Sequence, residues 1–461
     1  MITKTLYLPG FSHLLGGSRP KAQRLARETN ALDGLAALVG RFIPAEVFNP
    51  KQGQRKRAYP PWVTFIAFLG QVLSRGSSCR EAVRRVQAWA TANRRTVPDD
   101  SSSGYCQARE RLASTTLEAA HAELGQWFDR HQGERWCGRS VKVIDGTCVS
   151  MPDTPENRQR WTYAPNQQPG CGFPTARLVG MFGLMTGRLV RFALATLRDH
   201  ELMLARQLIA WIEPGEVALV DRGFCGWGYL ALLQRKGVEV VARLNAKRPS
   251  QPGQVAWAKP PRGRHGWTKT LWDELPEQLT VRVIRFRTAV PGFRTQEVVL
   301  VTTLLDETAY PDTAIIALYR RRWAVELCFR DIKTTLGLDV LRCQSPELVE
   351  KEIWMQAFGY NLVRALMLEA AWTHSVPLDR LSFKGTVDTL RQWTPLFAPA
   401  IFAFRRARKE LLRIIAADQV PERPNRYEPR LRKRRPKQYP FLGAPRRKAR
   451  SDTLRKLRNE K

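Results

Sequence analysis

Residues 314–337 read AIIALYRRRWAVELCFRDIKTTLG, and they carry the most specific polar pattern of the chain. On an α-helix with about 100° per residue, one stripe about 60° wide carries the polar side chains of Tyr319, Arg322, Glu326 and Lys333. Apolar residues border this stripe on both sides. A carboxylate with two cations and apolar neighbours is expected to face a partner or a cleft. The alternative is a structural helix in which Glu326 bridges to Arg322, and the spacing alone leaves both interpretations open.

Two further acidic residues directly follow apolar runs that are typical of strands. Asp145 follows the run 140–144, and Asp221 follows the run 216–220. In open α/β sheets, functional sites gather at the carboxyl ends of the strands. One such aspartate is weak evidence, because Asp-Gly is also a common turn. Two aspartates in one sheet indicate a candidate site more strongly.

Three carboxylates suit phosphoryl transfer that is assisted by metal ions. Two divalent cations roughly 3.5–4 Å apart can activate a nucleophile and stabilise the leaving oxygen. Mg²⁺ prefers carboxylate oxygens and keeps several waters, so few protein ligands suffice. Carboxylates alone would repel a phosphodiester. The cations Arg322 and Lys333 can attract the phosphodiester, and Tyr319 can donate a hydrogen bond to a phosphate oxygen.

The pattern Asp…Asp…Glu, with Tyr-x2-Arg-x3-Glu-x6-Lys around the glutamate, resembles a known family. It resembles the DDE transposases of bacterial insertion sequences, in the cut-and-paste branch that the Tyr-Arg-Glu-Lys signature marks, the insertion-sequence-four family. Three further stretches are similar to segments of that family, and the resemblance covers about residues 100–365. These stretches are YCQARERL (105–112), VIDGTCVSMPDTPEN (143–157) and ALVDRGFCGWGYL (218–230).

The resemblance implies an enzyme that cuts and joins DNA. Such enzymes nick DNA to free a 3′ hydroxyl, form and open a hairpin at the transposon end, and join that end to target DNA. By this resemblance Asp145, Asp221 and Glu326 are the catalytic residues and hold two Mg²⁺ ions, for which Mn²⁺ is expected to substitute. The expected partners are double-stranded DNA, as transposon ends and target, and a second copy of the chain in a homodimeric synaptic complex.

The same resemblance implies roles for the other signature residues. Tyr319 and Arg322 would grip phosphates near the hairpin, and Lys333 would position the DNA end. An aromatic residue of the segment before the signature is expected to hold a flipped base by stacking. The sequence leaves that residue open among Trp257, Trp267, Trp272, Phe286 and Phe293.

The order of elements predicts the fold class. From residue 138 the pattern predicts three strands, a helix, a strand, a helix and a strand, which indicates a mixed α/β sheet. The resemblance implies a ribonuclease H-like catalytic core that a mostly β insertion interrupts. The expected domains are a helical N-terminal DNA-binding region (1–137), the first part of the core (138–245), the β-rich insertion (246–312), the core helices that carry the glutamate (313–396) and a basic helical C-terminal region (397–461).

The charge indicates a polyanionic partner. The 461 residues include 75 Lys and Arg against 42 Asp and Glu, which gives a formal net charge of +33. Phosphate contacts by Lys and Arg release counterions, so nucleic acid is the expected partner. The basic runs 431–437 and 446–450 favour an arm that folds against DNA, and a merely solubilising tail is the alternative.

Cysteine usage and hydropathy favour a reducing compartment. The eight cysteines are scattered without a C-x-x-C pair, which argues against a zinc ribbon and a disulfide framework. No run approaches the ~20 apolar residues of a membrane span, and no signal peptide opens the sequence. The apolar run 62–73 is expected to be a buried helix. We expect a cytoplasmic, nucleoid-associated protein without a membrane partner.

Two alternatives for the site and two for the function remain. Asp153 lies eight residues after Asp145, in a context typical of an exposed turn. The segment 199–201 could mimic a metal cluster, but it is expected to open a helix as an N-terminal cap whose charge matches the helix dipole. A catalytically silent, sequence-specific DNA-binding protein derived from a transposase is the alternative function, although the intact acids disfavour decay. A host nuclease on the same fold is the third interpretation.

Overall fold

The computed structural model describes residues 31–48, 57–131, 133–164, 167–168, 170–244, 251–263, 266–288, 296–397, 401–421 and 443–459. The chain divides into two units. The first is helical and combines the described residues up to Trp127 with Trp354–Val420. The second contains the sheet and combines Phe128–Ile353 with the described residues after Val420.

The helices of the described segments are numbered in chain order. They are α1 (Ala31–Val39), α2 (Pro61–Leu73), α3 (Cys79–Ala92), α4 (Ser103–Arg111), α5 (Ser114–Arg130), α6 (Pro155–Arg160), α7 (Glu201–Leu208), α8 (Trp227–Arg235), α9 (Lys269–Asp273), α10 (Asp312–Arg321), α11 (Ala324–Arg330), α12 (Pro346–His374), α13 (Phe383–Trp393), α14 (Ile401–Ala417) and α15 (Arg446–Asn459).

Helices α2 and α3 show why the helical unit folds. Most of α2 is buried, which confirms the prediction of a buried helix at 62–73. Helix α3 begins with a side-chain N-cap, because the Ser78 hydroxyl accepts a hydrogen bond from the Glu81 backbone N–H three residues later. Its buried residues Val83, Val86 and Ala90 recur at helical spacing, so one face of α3 packs inward.

The strands of the second unit form one mixed sheet. They are β1 (Val141–Ser150), β2 (Thr175–Gly183), β3 (Leu189–Thr196), β4 (Val217–Val220), β5 (Glu239–Arg243), β6 (Gly253–Ala258), β7 (Gln278–Thr288) and β8 (Gln296–Thr302). Among the described residues the strand order is β3-β2-β1-β4-β5-β8-β7-β6. Strands β1, β4 and β5 run parallel, and the other neighbouring pairs are antiparallel.

The predicted element order of the core is confirmed. The strands and helices follow as β1, β2, β3, α7, β4, α8 and β5, with the short α6 between β1 and β2. Apolar residues of α7 and α8, such as Leu204, Tyr229 and Leu233, pack with sheet residues in one buried core. The expectation of a mixed α/β sheet is therefore confirmed.

The segment after β5 extends the same sheet. The sequence predicts strand-like runs at 279–285 and 297–303, and the structure has β7 and β8 there. Strand β8 pairs with β5, β7 pairs with β8, and β6 forms the far edge. Buried residues of β7 and β8, including Val281 and Val301, belong to the same core as Val220.

The basic C-terminal stretches are only partly described. The run 431–437 lies outside the described residues, whereas 446–450 begins α15. Most of the described α15 side chains are exposed. Within the described segments, no helix combines the length and the apolar character that crossing a membrane requires.

Candidate active site

Asp145 and Asp221 lie side by side where β1 and β4 stop pairing. Ile144 and Val220 are the last paired residues of these parallel strands, and each aspartate follows directly. Because β1 and β4 run in the same direction, both carboxylates lie at the same edge of the sheet. The two aspartates predicted at strand ends are therefore brought together.

One detail of the first strand differs from the sequence pattern. The apolar run ends at Ile144, but β1 continues to Ser150. Strand β2 pairs with β1 as far as Ser150, so one neighbour still satisfies the backbone after β4 has ended. Asp145-Gly146 is consequently part of a strand and not a turn. Asp145 Oδ1 accepts a hydrogen bond from the Gly146 backbone N–H at 2.8 Å.

The signature segment is not the single helix that its periodicity predicts. Helix α10 ends at Arg321, α11 begins at Ala324, and residues 331–336 form a turn of π-helix. Such π turns are frequent at functional sites. The segment contains neither proline nor glycine before Gly337, so the breaks come from packing and not from local propensity.

Helix α11 is packed closely on the sheet beside Asp145. The ring of Phe329 lies edge-on to Phe182 of β2, with 5.0 Å between the ring centroids. Gly180 of β2 is the register partner of Asp145, and a Cβ there would lie 3.1 Å from Phe329 Cζ. The absence of a side chain at Gly180 therefore lets α11 bring Glu326 close to the two aspartates.

Arg322 lies between all three carboxylates. Its guanidinium nitrogens are 3.7 Å from Asp145 Oδ2, 4.0 Å from Asp221 Oδ2 and 3.8 Å from Glu326 Oε1. These separations exceed hydrogen-bond length, so the attraction is electrostatic and loose. Only 10% of the Arg322 side chain is exposed, whereas 23% of Asp145, 39% of Asp221 and 43% of Glu326 are exposed. The cation is buried, Asp145 is half-buried, and the carboxylates of Asp221 and Glu326 are more open to solvent.

Tyr319 binds the second aspartate. Its hydroxyl donates a hydrogen bond to Asp221 Oδ1 at 3.2 Å, and the Arg322 guanidinium lies over its ring. Burial, followed by the charge of Asp221, raises the pKa of Tyr319, whereas the charges of Arg322 and Arg243 act in the opposite direction. The phenol therefore stays protonated at neutral pH and remains a hydrogen-bond donor.

Lys333 reaches β1 from the π turn. Its Nζ donates hydrogen bonds to Thr147 Oγ1 at 3.0 Å and to the Cys148 carbonyl at 3.1 Å. Thr147 lies two residues after Asp145 on the same strand. The structure thus brings Lys333 to the strand that carries Asp145. The described hydrogen bonds of its ammonium are with β1, whereas the Arg322 guanidinium lies near the three acids and Tyr319.

The electrostatics of the site follow from these neighbours. The pKa of Asp145 is raised, mainly by burial and further by the charges of Asp221 and Glu326. The Gly146 hydrogen bond and the charge of Arg322 lower it, but they do not cancel the rise. Burial alone would lower the pKa of Arg322, yet the surrounding anions raise it, so it stays a cation. The cluster holds more negative charge than its single buried arginine balances.

The donor set of this cluster fits a hard divalent cation. It offers three carboxylates, whose oxygens are the ligands that Mg²⁺ prefers. Burial and, to a smaller extent, the charges of Asp221 and Glu326 raise the pKa of Asp145, and a bound cation would stabilise its ionised form. In the part of the chain that the structure describes, no three His, Cys, Asp or Glu side chains already stand at ligating distances. The residue types of the cluster therefore suit a divalent cation, but the three carboxylates now surround the Arg322 guanidinium. They have to move closer to one another before they can bind an ion together.

The other acidic candidates have structural partners. Asp153 accepts a hydrogen bond from the Tyr163 hydroxyl and pairs with Arg158 at 3.3 Å. Residues 199–201 open α7 as predicted, because the His200 side chain caps the backbone N–H two residues later. Asp199 accepts hydrogen bonds from the backbone and hydroxyl of Thr196. These contacts are those of a turn and a helix start.

Sequence reasoning missed Arg243. This residue ends β5, one position after the register pair of Val220 and Ala242, and its charge acts on Tyr319. A basic residue at the end of the third parallel strand was the available signal. Arg243 thus adds a cation at the edge of the sheet that carries the aspartates.

The exposed side of the signature segment was also missed. Trp323 and Leu327 are 51% and 44% exposed although they are large and apolar. Each directly follows a residue of the cluster, Arg322 in one case and Glu326 in the other. Together they make the surface beside the site apolar.

Comparison with known proteins shows to which class of protein the chain belongs. A family model described as "Transposase DDE domain" matches residues 136–362, which include both aspartates and the signature segment. The class is thus that of the DDE transposases. Transposase InsG for insertion sequence element IS4 of Escherichia coli (strain K12) is 28% identical over 407 residues, which cover 84% of this chain and 88% of that protein. The chain belongs to the insertion-sequence-four family of DDE transposases.

More distant similarities accompany these matches. The putative transposase InsZ of Escherichia coli (strain K12) is 28% identical over 138 residues, which cover 29% of this chain and 46% of that protein. Among solved structures, the chain is remotely similar to the piggyBac transposase synaptic complex with hairpin DNA. The TM-score is 0.42 at 10% identity, over 87% of this chain and 86% of the other. By its family, the chain is the transposase of an insertion sequence, an enzyme that acts on DNA.

Proposed function

We propose that this transposase cleaves DNA at the ends of its insertion sequence and joins them to target DNA, with Asp145, Asp221 and Glu326 as ligands of two Mg²⁺ ions. Mn²⁺ is expected to replace Mg²⁺. The single observation that carries the proposal is the convergence of the three carboxylates on Arg322, within 4.0 Å of its guanidinium nitrogens. When bound, the two ions would activate the attacking oxygen and stabilise the leaving oxygen of the phosphodiester.

The basic and phenolic side chains of the site bind the DNA backbone in this proposal. Three carboxylates repel a phosphodiester, so neighbouring donors have to attract it. Arg322 and the protonated Tyr319 adjoin the acids directly, and Lys333 contacts β1 two residues beyond Asp145. Arg243, whose charge acts on Tyr319, is a fourth donor in this proposal. We assign Tyr319, Arg322 and Lys333 to phosphates at the transposon end.

We further propose that the sheet is a ribonuclease H-like core. The order β3-β2-β1-β4-β5, with β1, β4 and β5 parallel and β2 and β3 antiparallel, supports this assignment. The domain layout, with a DNA-binding region at 1–137, core segments at 138–245 and 313–396, an insertion at 246–312 and a basic region at 397–461, stays part of the proposal. The exposed, basic helix α15 supports DNA contact by the last of these.

The proposed route is cut-and-paste through a hairpin at the transposon end, carried out by a homodimer at paired ends. A flipped base at the hairpin calls for an aromatic side chain to receive it. Trp272 is buried in the core, Trp257 and Trp267 pack against it, and Phe293 lies outside the described residues. Phe286 and Trp267 are both half-buried beneath an arginine, so both stay candidates for the stacking residue.

A plasmid assay tests the proposal. The full-length protein is incubated with a supercoiled plasmid that carries both ends of the insertion sequence, with Mg²⁺, Mn²⁺ or EDTA. We expect excised transposon with hairpin ends, followed by strand-transfer products, with either metal and none with EDTA. Glu326→Gln should abolish cleavage and retain end binding in a gel shift, whereas Glu307→Gln, at an exposed position, should cleave normally.

The same assay separates the alternatives. A silent DNA-binding protein would shift the ends without cleaving them in any metal. A host nuclease would cleave the plasmid without strand-transfer products. Cleavage by Glu326→Gln at the wild-type rate would remove Glu326 from the site. The proposed association with the nucleoid depends on the same DNA binding.

A further inference from the structure

Two cysteines of the helical unit share one buried guanidinium. Cys79 is the first residue of α3, and Cys106 lies in α4. Nη2 of Arg109 is 3.5 Å from Cys79 Sγ and 3.7 Å from Cys106 Sγ. A hydrogen bond to Cys79 is also the largest cause that raises the pKa of Cys106. Two sulfur atoms from different helices therefore meet at one point, far from the candidate active site in sequence.

The surroundings of Cys79 favour a negative charge on its sulfur. Gln71 Nε2 points at Cys79 Sγ from 3.7 Å, and Gln71 is oriented by the Tyr105 hydroxyl, which donates to its Oε1 at 3.0 Å. The Arg109 guanidinium and the amino end of α3 act on the same sulfur. Cations, donors and helix N-termini are the groups that stabilise a cysteine thiolate.

Cys106 has the complementary character. Its pKa is raised, first by the hydrogen bond to Cys79 and then by burial, and the opposing charge of Arg109 does not cancel the rise. Cys106 therefore keeps its proton and donates it towards Cys79. One sulfur is arranged as a nucleophile and the other as a protonated neighbour within reach, which is the arrangement of a redox-active pair.

Two simpler interpretations fit the pair less well. Cysteines that only fill space are buried among apolar groups, but both thiols are half-buried and their sulfurs contact polar nitrogens. A zinc site needs further ligands, and the described segments bring no third His, Cys, Asp or Glu into such a group. Each of the eight cysteines lies in a described segment, and all are thiols here.

We propose that Cys79 and Cys106 form a reversible disulfide when the protein meets a peroxide. The Cys79 thiolate attacks one peroxide oxygen, the O–O bond breaks, and hydroxide leaves, which gives the Cys79 sulfenic acid. The Cys106 sulfur then attacks the Cys79 sulfur, the S–O bond breaks, and the Cys106 proton leaves with that oxygen as water. Peroxide is reduced by two electrons and the two sulfurs are oxidised by two.

The bond would covalently tie α3 to α4. Such a link limits the unfolded chain and raises stability when the native geometry accommodates it, and both sulfurs already lie within 3.7 Å of the same Arg109 nitrogen. We expect the melting temperature of the helical unit to rise by roughly 5 °C on oxidation and to return on reduction. Arg109 also loses a neighbouring anion, so the local positive charge increases.

Mass spectrometry of the full-length protein tests the proposal. The reduced protein is treated with hydrogen peroxide, alkylated and digested with trypsin. We expect the peptides Gly76–Arg80 and Thr96–Arg109 to appear linked at the lowest effective peroxide concentration and to separate after reduction. At that concentration the exposed Cys137 should still be alkylated. Oxidation of Cys137 before any link forms between the two peptides would overturn the proposal.

Three serine variants test the roles of the two cysteines without requiring that the disulfide forms. In Cys106→Ser, dimedone, a diketone that traps sulfenic acids, should label Cys79 at least about tenfold faster than Cys137. In Cys79→Ser, dimedone labelling of Cys106 should stay at the level of Cys137. Cys137→Ser should form the disulfide like the wild type. Equal labelling of Cys79 and Cys137, with all variants folded by circular dichroism, would contradict the assigned roles.

Discussion

Asp145 and Asp221 are neighbours at one edge of the sheet, because each directly follows one member of the register pair Ile144 and Val220 in the parallel strands β1 and β4. The two acids are far apart in the sequence, and only the pairing of these strands brings them together. Glu326 joins them from α11, and the Arg322 guanidinium lies between all three carboxylates. The predictions below test what this arrangement does to charge, stability and cleavage.

Replacing Arg322 tests whether its guanidinium balances the acids. In EDTA, Arg322→Ala should lower the melting temperature by a few degrees, because the carboxylates lose their shared cation. Saturating Mg²⁺ should then raise the melting temperature more in the variant than in the wild type, because bound ions restore positive charge. Arg330→Ala removes an arginine whose side chain is 61% exposed and serves as control. If Mg²⁺ raised the melting temperature of Arg322→Ala and of the wild type by the same amount, the result would contradict the claim that Arg322 balances the charge of the acids.

Asp145→Asn should stabilise the metal-free protein at neutral pH. The folded chain raises the pKa of Asp145, so above that pKa the ionised carboxylate costs folding free energy. As the pH falls from the raised pKa towards the ordinary value of the unfolded chain, the folded carboxyl is protonated and the cost declines to zero. We expect a melting temperature higher by about a degree or more at pH 7 in EDTA, and a gain that vanishes in acid. The exposed Asp273→Asn is the control, and a gain that does not change with pH would oppose the explanation.

Gly180→Ala should disturb the placement of α11. The added Cβ would lie 3.1 Å from Phe329 Cζ and 2.9 Å from Phe182 Cε2, so one ring has to move. Overpacking of this kind costs about 1–3 kcal/mol, and a displaced α11 carries Glu326 with it. We expect lower thermal stability and cleavage that is slower by about tenfold or more. At Gly125 a Cβ meets nothing within 4 Å, so Gly125→Ala should keep normal activity. Unchanged cleavage by a stable Gly180→Ala protein would refute this role.

Tyr319→Phe should slow cleavage without unfolding the protein. The change removes only the hydroxyl that donates to Asp221. Loss of a hydrogen bond to a charged group corresponds to about a tenfold or larger decrease in rate. Tyr310→Phe is the matched control, because its hydroxyl accepts from Arg139 at 2.8 Å and lies outside the cluster of acids. Single-turnover cleavage rates compare the two, and equal rates would argue against a role for the Tyr319 hydroxyl.

Much of the sheet and of the cluster could be predicted from local pattern. Apolar runs predicted β1 and β4, and the aspartates after them marked the edge of the sheet. Helical spacing grouped Tyr319, Arg322 and Glu326, and the structure brings them to the same acids. These features depend on neighbours in sequence, which is why periodicity captures them.

The remaining features depend on partners distant in sequence. The continuation of β1 to Ser150 requires β2 beside it, and the close approach of α11 to the sheet depends on Phe329 packing against Gly180. In each case the contacting partner lies far away in the sequence, so no local pattern indicates it. The role of Arg243 likewise depends on the pairing of β5 with β4, which places this strand end beside the one that Asp221 follows. The joining of β8 to β5 likewise follows from pairing and not from composition.

Counting bound Mn²⁺ by electron paramagnetic resonance tests the central claim most directly. The full-length protein bound to transposon-end DNA is titrated with Mn²⁺, alongside Asp145→Asn, Asp221→Asn, Glu326→Gln and the Glu307→Gln control. We expect two ions per chain for the wild type and the control, and the loss of at least one ion in each of the other three variants. Two ions bound with wild-type affinity in any of those three variants would contradict a metal site shared by these acids.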